Sequence, residues 1–206
     1  MKFQESKLAH KYLDGLKGLE CGGSSHNAFG LDTLNVDYTD DMETVFKKGE
    51  YILCQEKMKV DIVANGDDLP FKDESYDFVI NSHVVEHFFD PVKAIKEWLR
   101  VVKKGGYVFI IAPLQTALDT ETRPCTTLKE IIARHEGKMT PEEVIMEGGH
   151  QTSAVSGLPL KGHGHWSVWN LPEFLEITTH YGWDVVESLP IDDKVGNGFC
   201  VILRKQ

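Results

Sequence analysis

The chain predicts an α/β fold built on a mostly parallel sheet with both faces covered, and three observations carry that prediction. Residues 60–113 read as strand, loop, strand, loop, helix, strand, with apolar runs of buried-strand composition. Upstream, two short apolar stretches end in a glycine turn and in an acid, at Gly22-Gly23 and Asp37. Downstream, the chain finishes as helix, strand, turn, strand. In such sheets ligands bind at the carboxyl ends of the strands, and the polar residues of this sequence gather there.

Taken in order, Leu16 to Cys21 forms the first strand, followed by Gly22-Gly23-Ser24-Ser25. Leu34 to Val36 forms the second and ends in Asp37. Only the ten residues Ser24 to Thr33 separate the two, so the first helix is expected to be vestigial. Asp40-x-x-Glu43 reads as a capping box before Val45 and Phe46, with Gly49 as terminator. A strand over 60–64 turns through Asn65 to Asp68 into Leu69-Pro70-Phe71, and a further strand spans 76–81. Asp90-Pro91 starts a helix over 91–103 with Val92, Ile95, Leu99 and Val102 on one face. Gly105-Gly106 then leads into the strand Tyr107 to Ala112. Near the end, Asn170-x-x-Glu173 opens a helix that buries Phe174, Ile177 and Tyr181 and stops at Gly182. Trp183 to Leu189 and Gly198 to Leu203 are the last two strands.

Residues 115–165 are not needed by the sheet. Thr127-x-x-Glu130 and Thr140-Pro141-x-Glu143 mark two short helices there, and Glu147 to Lys161 is rich in Gly, Ser and Thr. An insertion after a strand's carboxyl end suits a helical cap over a substrate pocket. The whole of 1–206 is expected to be one domain, since 206 residues suit a single core.

The bulk numbers exclude several classes. No apolar run is long enough to span a bilayer, and Met1 to Glu5 lacks a signal-peptide stretch, so a cytoplasmic protein without membrane attachment is expected. A net charge of −10 repels phosphate backbones, which argues against nucleic acid as partner. The basic pairs Lys47-Lys48 and Lys103-Lys104 read as helix C-termini. Cys21, Cys54, Cys125 and Cys200 form no Cys-x-x-Cys pair, consistent with reduced thiols. Asp192-Asp193 reads as a solvated turn. Trp166 and Trp169 read as core or pocket-wall residues.

The glycine turn, Asp37, the Asp-Leu-Pro-Phe loop and the Val-Glu-His segment, in this order, resemble the class I S-adenosylmethionine-dependent methyltransferases of the small bacterial type. The resemblance implies a Rossmann-like sheet closed by a C-terminal antiparallel hairpin, with S-adenosylmethionine as cofactor and a small-molecule acceptor as partner. By the same resemblance, Glu20, Gly22 and Gly23 line the methionine end and Asp37 takes the ribose hydroxyls. Asn65 and Gly66, with Asp67 beside them, contact the adenine, while Asn81, Ser82 and His83 close the site beneath the sulfonium. The usual Gly-x-Gly-x-Gly is shortened here to Gly22-Gly23-Ser24, and Asn65 stands where an acid is common.

A hydroxyl acceptor needs a general base, for which histidine is suited near neutral pH. His165, at the return of the cap to the sheet, ranks first for this role, then His163, then His83. Neither the His83/His87 pair with Glu86 nor the His163/His165 pair matches a familiar zinc spacing, so no metal is expected. A sugar or related polar metabolite is the expected acceptor class. Two alternatives stay open at this point: a non-catalytic subunit on a degenerate methyltransferase fold, and an NAD-dependent oxidoreductase, against which the missing phosphate-binding helix argues.

Overall fold

The structure, a computed structural model, describes residues 1–117, 123–144 and 164–206. Its centre is a seven-stranded sheet made of β1 (Lys17–Cys21), β2 (Asp32–Asp37), β3 (Ile62–Val63), β4 (Tyr76–Ser82), β5 (Val102–Pro113), β6 (Asp184–Leu189) and β7 (Gly198–Arg204). The order across the sheet is β3-β2-β1-β4-β5-β7-β6. The first five strands run parallel, and β7 lies antiparallel between β5 and β6. The order reverses between β1 and β4, the switch point at which such sheets open a crevice for ligand.

The inner strands are apolar throughout because both faces are covered. In β5, Val108 and Ile110 point to one face while Phe109 and Ile111 point to the other, and all four are fully enclosed. The first face packs against α3 (Pro91–Val101), α4 (Leu128–His135) and α5 (Leu171–His180) through Ile95, Trp98, Ile131, Phe174 and Ile177. The second packs against α1 (Lys7–Leu13) through Leu8, Ala9 and Leu13, with Phe29 beside them. Each large side chain so enclosed contributes roughly 1.5–3 kcal/mol.

Several elements depart from the sequence reading. The helix expected to end at Gly49 runs through it as α2 (Val45–Cys54). Its cap is Thr44, whose side chain accepts the Lys47 amide, rather than Asp40, and Gln55 in the left-handed region closes it. Phe46 is exposed while Lys47 and Glu50 are buried, so α2 presents an ion pair inward where an apolar stripe was expected. Lys103 and Lys104 lie in β5, which begins at Val102, and not at a helix end. The strand over 60–64 shrinks to Ile62–Val63 at the sheet edge. The Thr140 capping box starts only a 3-10 turn, Pro141–Glu143. Asp192 is enclosed, with its carboxylate accepting the amides of Lys194, Val195, Gly196 and Gly198. Asp193 accepts the Ser6 hydroxyl and the Leu8 amide at the start of α1. The turn read as solvated thus fastens the β6–β7 hairpin to α1, an element the sequence reading did not contain.

The vestigial first helix was read correctly, since Ser24 to Leu31 holds only turns. Cys21 and Cys200 are buried free thiols in strands, as expected. Among the described residues no helix is long and apolar enough to cross a membrane.

Candidate active site

Chain order places the polar residues of the switch point at three neighbouring strand ends. β1 ends at Cys21, and the Gly22 amide donates to Val36 O at 2.8 Å while the Gly23 amide donates to Asn35 Oδ1 at 2.9 Å. Gly22 sits at φ +69°, where a side chain is strained, and a Cβ on it would meet Val84 Cγ2 at 2.6 Å. A Cβ on Gly23 would strike Asn35 Oδ1 at 2.6 Å. The turn is therefore packed against the protein's own atoms at both glycines.

No helix follows this turn, and α2 supports it instead. Lys47 Nζ donates to Met58 O at 2.7 Å and lies 3.1 Å from Glu50 Oε2. Glu50 Oε1 accepts the amides of Ser25 and Met58. Asn35 completes the clamp by donating its Nδ2 to Lys59 O. Sequence reading missed Asn35, Lys47 and Glu50. The available signal was an amide at the centre of the apolar Leu34–Val36 stretch, since a polar residue at a buried strand position must be serving other backbone groups.

Two carboxyl groups lie in the strands that flank this turn. Glu20 in β1 is buried, and its carboxyl is raised to about 7, by burial first, with Lys194, the Thr33 hydroxyl and Lys47 opposing. Asp37 ends β2 half-buried, and burial raises its carboxyl as well. Its Oδ1 accepts the Tyr38 amide at 2.8 Å, and among the described residues no hydrogen bond reaches Oδ2. Past β3, Asn65 is exposed in a turn whose Gly66 carbonyl accepts from Trp98 Nε1 at 2.8 Å. Asp67 is paired with Lys93 at 2.9 Å. At the end of β4, Asn81 is fully enclosed, and neither of its amide atoms has a partner among the described residues. Ser82 Oγ accepts from Asn27 at 3.0 Å. His83 takes φ +57°, a left-handed conformation uncommon for a side chain of its size, with its amide on Ile111 O.

A second cluster lies beyond His83. The 3-10 turn Val85–His87 buries Glu86 completely, and its carbonyl accepts the amides of Trp166 and Ser167 at 2.8 and 3.3 Å. The Nε2 atoms of His87 and His165 each lie 3.8 Å from Glu86 Oε1, and the two rings meet edge-on at 4.9 Å between centroids. Burial pushes the Glu86 carboxyl up to about 8. Arg123 donates to His165 O, and Arg134 from α4 donates to Trp166 O and Ser167 Oγ, so the insertion clasps this return segment. The expected base His165 is thus buried beside the Glu86 carboxyl, while His163 lies outside the described residues, as does the whole Gly-rich stretch Glu147 to Lys161. Trp169 belongs to the core, and Trp166 packs edge-on against Phe89.

Comparison with known proteins agrees with this arrangement. Residues 20–110, a little under half of the chain, match the family described as "Methyltransferase domain". An uncharacterised protein of Methanocaldococcus jannaschii is 34% identical over 119 residues, covering 52% of this chain and 54% of the relative. A demethylmenaquinone methyltransferase of Paenarthrobacter aurescens is 30% identical over 122 residues, 56% of this chain and 46% of that protein. The chain spans about half the length or less of these curated relatives. In overall fold it is similar to a SAM-dependent methyltransferase of Methanosarcina mazei, with a TM-score of 0.55 at 17% identity, covering 100% of this chain and 99% of the other. It is likewise similar to a possible histamine N-methyltransferase of Thermotoga maritima, with a TM-score of 0.55 at 18% identity, covering 96% and 86%. Residues 20–110 are thus similar in sequence to a methyltransferase domain, and the sheet that carries them shares its fold with solved SAM-dependent methyltransferases.

Proposed function

We propose that this protein transfers a methyl group from S-adenosylmethionine to a small polar acceptor. The observation that carries the reading is Asp37: a half-buried carboxylate at the end of β2, beside the glycine turn, with Oδ2 open. A ribose diol fits such a group, which accepts two charge-assisted hydrogen bonds. Glu20 fits the ammonium of the methionine end, because a cation there restores the charge that burial opposes. Asn65 and Gly66 border the position of the adenine. Asp67 contributes to that wall while its own charge is answered by Lys93. Asn81, Ser82 and His83 form the floor at the end of β4. Bound there, S-adenosylmethionine supplies a methyl group already activated on a sulfonium.

The protein's task is then to align the acceptor about 3–3.5 Å from that methyl, exclude water and dispose of the acceptor's proton. His165 is the group we assign to take the proton from a hydroxyl acceptor, with Glu86 behind it to stabilise the imidazolium. His163 and then His83 follow in rank. Residues 115–165 serve as the cap, and the Arg123 and Arg134 contacts to 165–167 support this by tying the insertion to the return segment. Four of the curated relatives are named as methyltransferases of demethylmenaquinone or of 2-methyl-6-phytyl-1,4-hydroquinone and one as an ajmaline N-methyltransferase, and none of these five is named for a sugar. These names span quinols and an alkaloid nitrogen, so we put the acceptor as a small molecule without fixing the acceptor atom, and the sugar reading is not carried forward.

Calorimetric titration with S-adenosylhomocysteine tests the cofactor assignment. Saturable binding is expected in the wild type and a large loss in Asp37→Ala. Equal affinity in the two proteins removes the ribose assignment. Methyl transfer from labelled cofactor to a panel of phenols, quinols and sugars then tests the acceptor class.

A further inference from the structure

Glu86 is the most anomalous polar group among the described residues. It is fully buried, and among the described residues neither Oε1 nor Oε2 receives a hydrogen bond. An isolated carboxylate in that position is costly unless a cation answers it. No Lys or Arg nitrogen lies within ion-pair distance of it among the described residues; its two neighbours at 3.8 Å are the Nε2 atoms of His87 and His165. One ligand-capable atom from each of the three residues lies within 4.8 Å of the other two.

The backbone around the cluster is fixed in advance. The Glu86 carbonyl holds the amides of Trp166 and Ser167, which brings two segments about eighty residues apart in sequence into register. His87 Nδ1 lies 3.3 Å from Gly164 O. A proton on Nδ1 donated to that carbonyl leaves the Nε2 lone pair facing Glu86, the arrangement by which metal-binding imidazoles are oriented. Two imidazoles and one carboxylate form a donor set suited to zinc and its first-row neighbours, with further positions open; magnesium and calcium prefer oxygen alone. Around a tetrahedral cation at roughly 2.0–2.2 Å from each ligand, ligand atoms stand about 3.3–3.5 Å apart, so the 3.8 Å separations need only small side-chain rotations.

We propose that Glu86, His87 and His165 form a binding site for a divalent first-row transition cation of the zinc type, open on the side of the partly exposed His87. The binding claim stands on these three residues alone. What the cation does rests on the methyl-transfer reading. Ligated at the open position, an acceptor hydroxyl loses its proton more readily. His165 is then a ligand, and the proton passes to solvent instead of to its ring.

The experiment uses full-length protein dialysed against chelator, titrated with Zn²⁺ by calorimetry and with Co²⁺ by visible absorption. Expected are one tight Zn²⁺ per chain and Co²⁺ ligand-field bands of a four- or five-coordinate site. Glu86→Gln and His87→Ala should each weaken Zn²⁺ at least about tenfold and remove those bands. His87→Ala, at a partly exposed position, guards against loss of fold, which thermal melting checks. His10→Ala, at a distant partly exposed histidine, should change nothing. Wild-type binding no tighter than that of the Glu86→Gln/His87→Ala double variant overturns the proposal, as does a Co²⁺ spectrum with octahedral aquo character only. S-adenosylhomocysteine affinity measured on the same samples separates the two readings: absent metal with intact cofactor binding sinks this site alone.

Discussion

The two halves of the crevice are built on opposite plans. At the glycine turn after β1, the buried polar groups that shape the turn answer one another. Asn35 serves Gly23 and Lys59, and Lys47 and Glu50 pair at 3.1 Å while holding the backbone of Ser25 and Met58. In the 3-10 turn after β4, Glu86 is equally buried and its carboxyl has no hydrogen-bond donor among the described residues. The turn spends its polar groups on rigidity, whereas Glu86, like Asn81 at the end of β4, is held without a hydrogen-bond partner for its side chain among the described residues. An unsatisfied buried polar group is unfavourable to stability, and folds retain such groups where function needs them.

The contrast breaks most sharply at the Lys47–Glu50 pair. Removing one partner leaves a buried charge uncompensated, so Lys47→Met should cost about 3–5 kcal/mol in urea denaturation. The double variant Lys47→Met/Glu50→Leu should recover much of that loss in the ion-pair term, leaving the lost backbone contacts. A Lys47→Met variant within about 0.5 kcal/mol of wild type would show that the pair is not what braces the turn.

Glu20 gives a pH-dependent test. Its carboxyl is raised from the ordinary 4.5 to about 7, so the unfolded chain releases this proton first. The stability it contributes is fully present below pH 4.5 and is lost as pH rises through 7. Glu20→Gln should match wild type near pH 4.5 and exceed it at pH 8 by up to about 3 kcal/mol. Parallel stability curves for the two proteins would remove the shift. Bound S-adenosylhomocysteine, placing its ammonium nearby, should flatten the wild-type curve.

These tests also show which parts of the molecule the sequence makes legible. The strands of the sheet, the α3 start at Asp90-Pro91 and the α5 capping box all follow from periodicity and caps, which are local. Asp37 is legible for the same reason, as the acid that ends an apolar run. The inward face of α2 is not, because Lys47 and Glu50 face inward to serve loop backbone that only the tertiary fold brings near. The Asp192 turn deceives in the same way: two acids in a loop read as solvated until four amides converge on one of them. The Glu86, His87 and His165 cluster joins segments far apart in the chain, and each histidine pair taken alone lacks a metal-ligand spacing.

Asp37 carries the next largest effect. Each charge-assisted hydrogen bond to the ribose is worth about 1.5–3 kcal/mol, so Asp37→Ala should weaken S-adenosylhomocysteine by at least one order of magnitude. Stability should change little, since the side chain holds only the neighbouring Tyr38 amide. Asp37→Asn sharpens the comparison by keeping one acceptor and removing the charge; an intermediate affinity is expected. A loss of fold in either variant would move Asp37 from the reserve class to the bracing class.

The smallest effect expected is also the one of opposite sign. Replacing Glu86 by leucine removes a buried carboxylate that no donor answers and fills nearly the same volume with apolar atoms. At the glycine turn such a replacement breaks a satisfied network. Here there is no network of hydrogen bonds to the carboxylate to break, and its backbone contacts to Trp166 and Ser167 persist because they run through the carbonyl. Metal-free Glu86→Leu should therefore be more stable than metal-free wild type by about 1 kcal/mol, read as a higher urea midpoint at unchanged slope. It should at the same time lose methyl transfer, since the group that orients His165 is gone. Added Zn²⁺ should raise the wild-type midpoint and leave that of Glu86→Leu where it was. A destabilised Glu86→Leu protein would mean that the carboxylate is answered after all, and the division of the crevice into a braced half and a reserved half would fail at the residue on which it most depends.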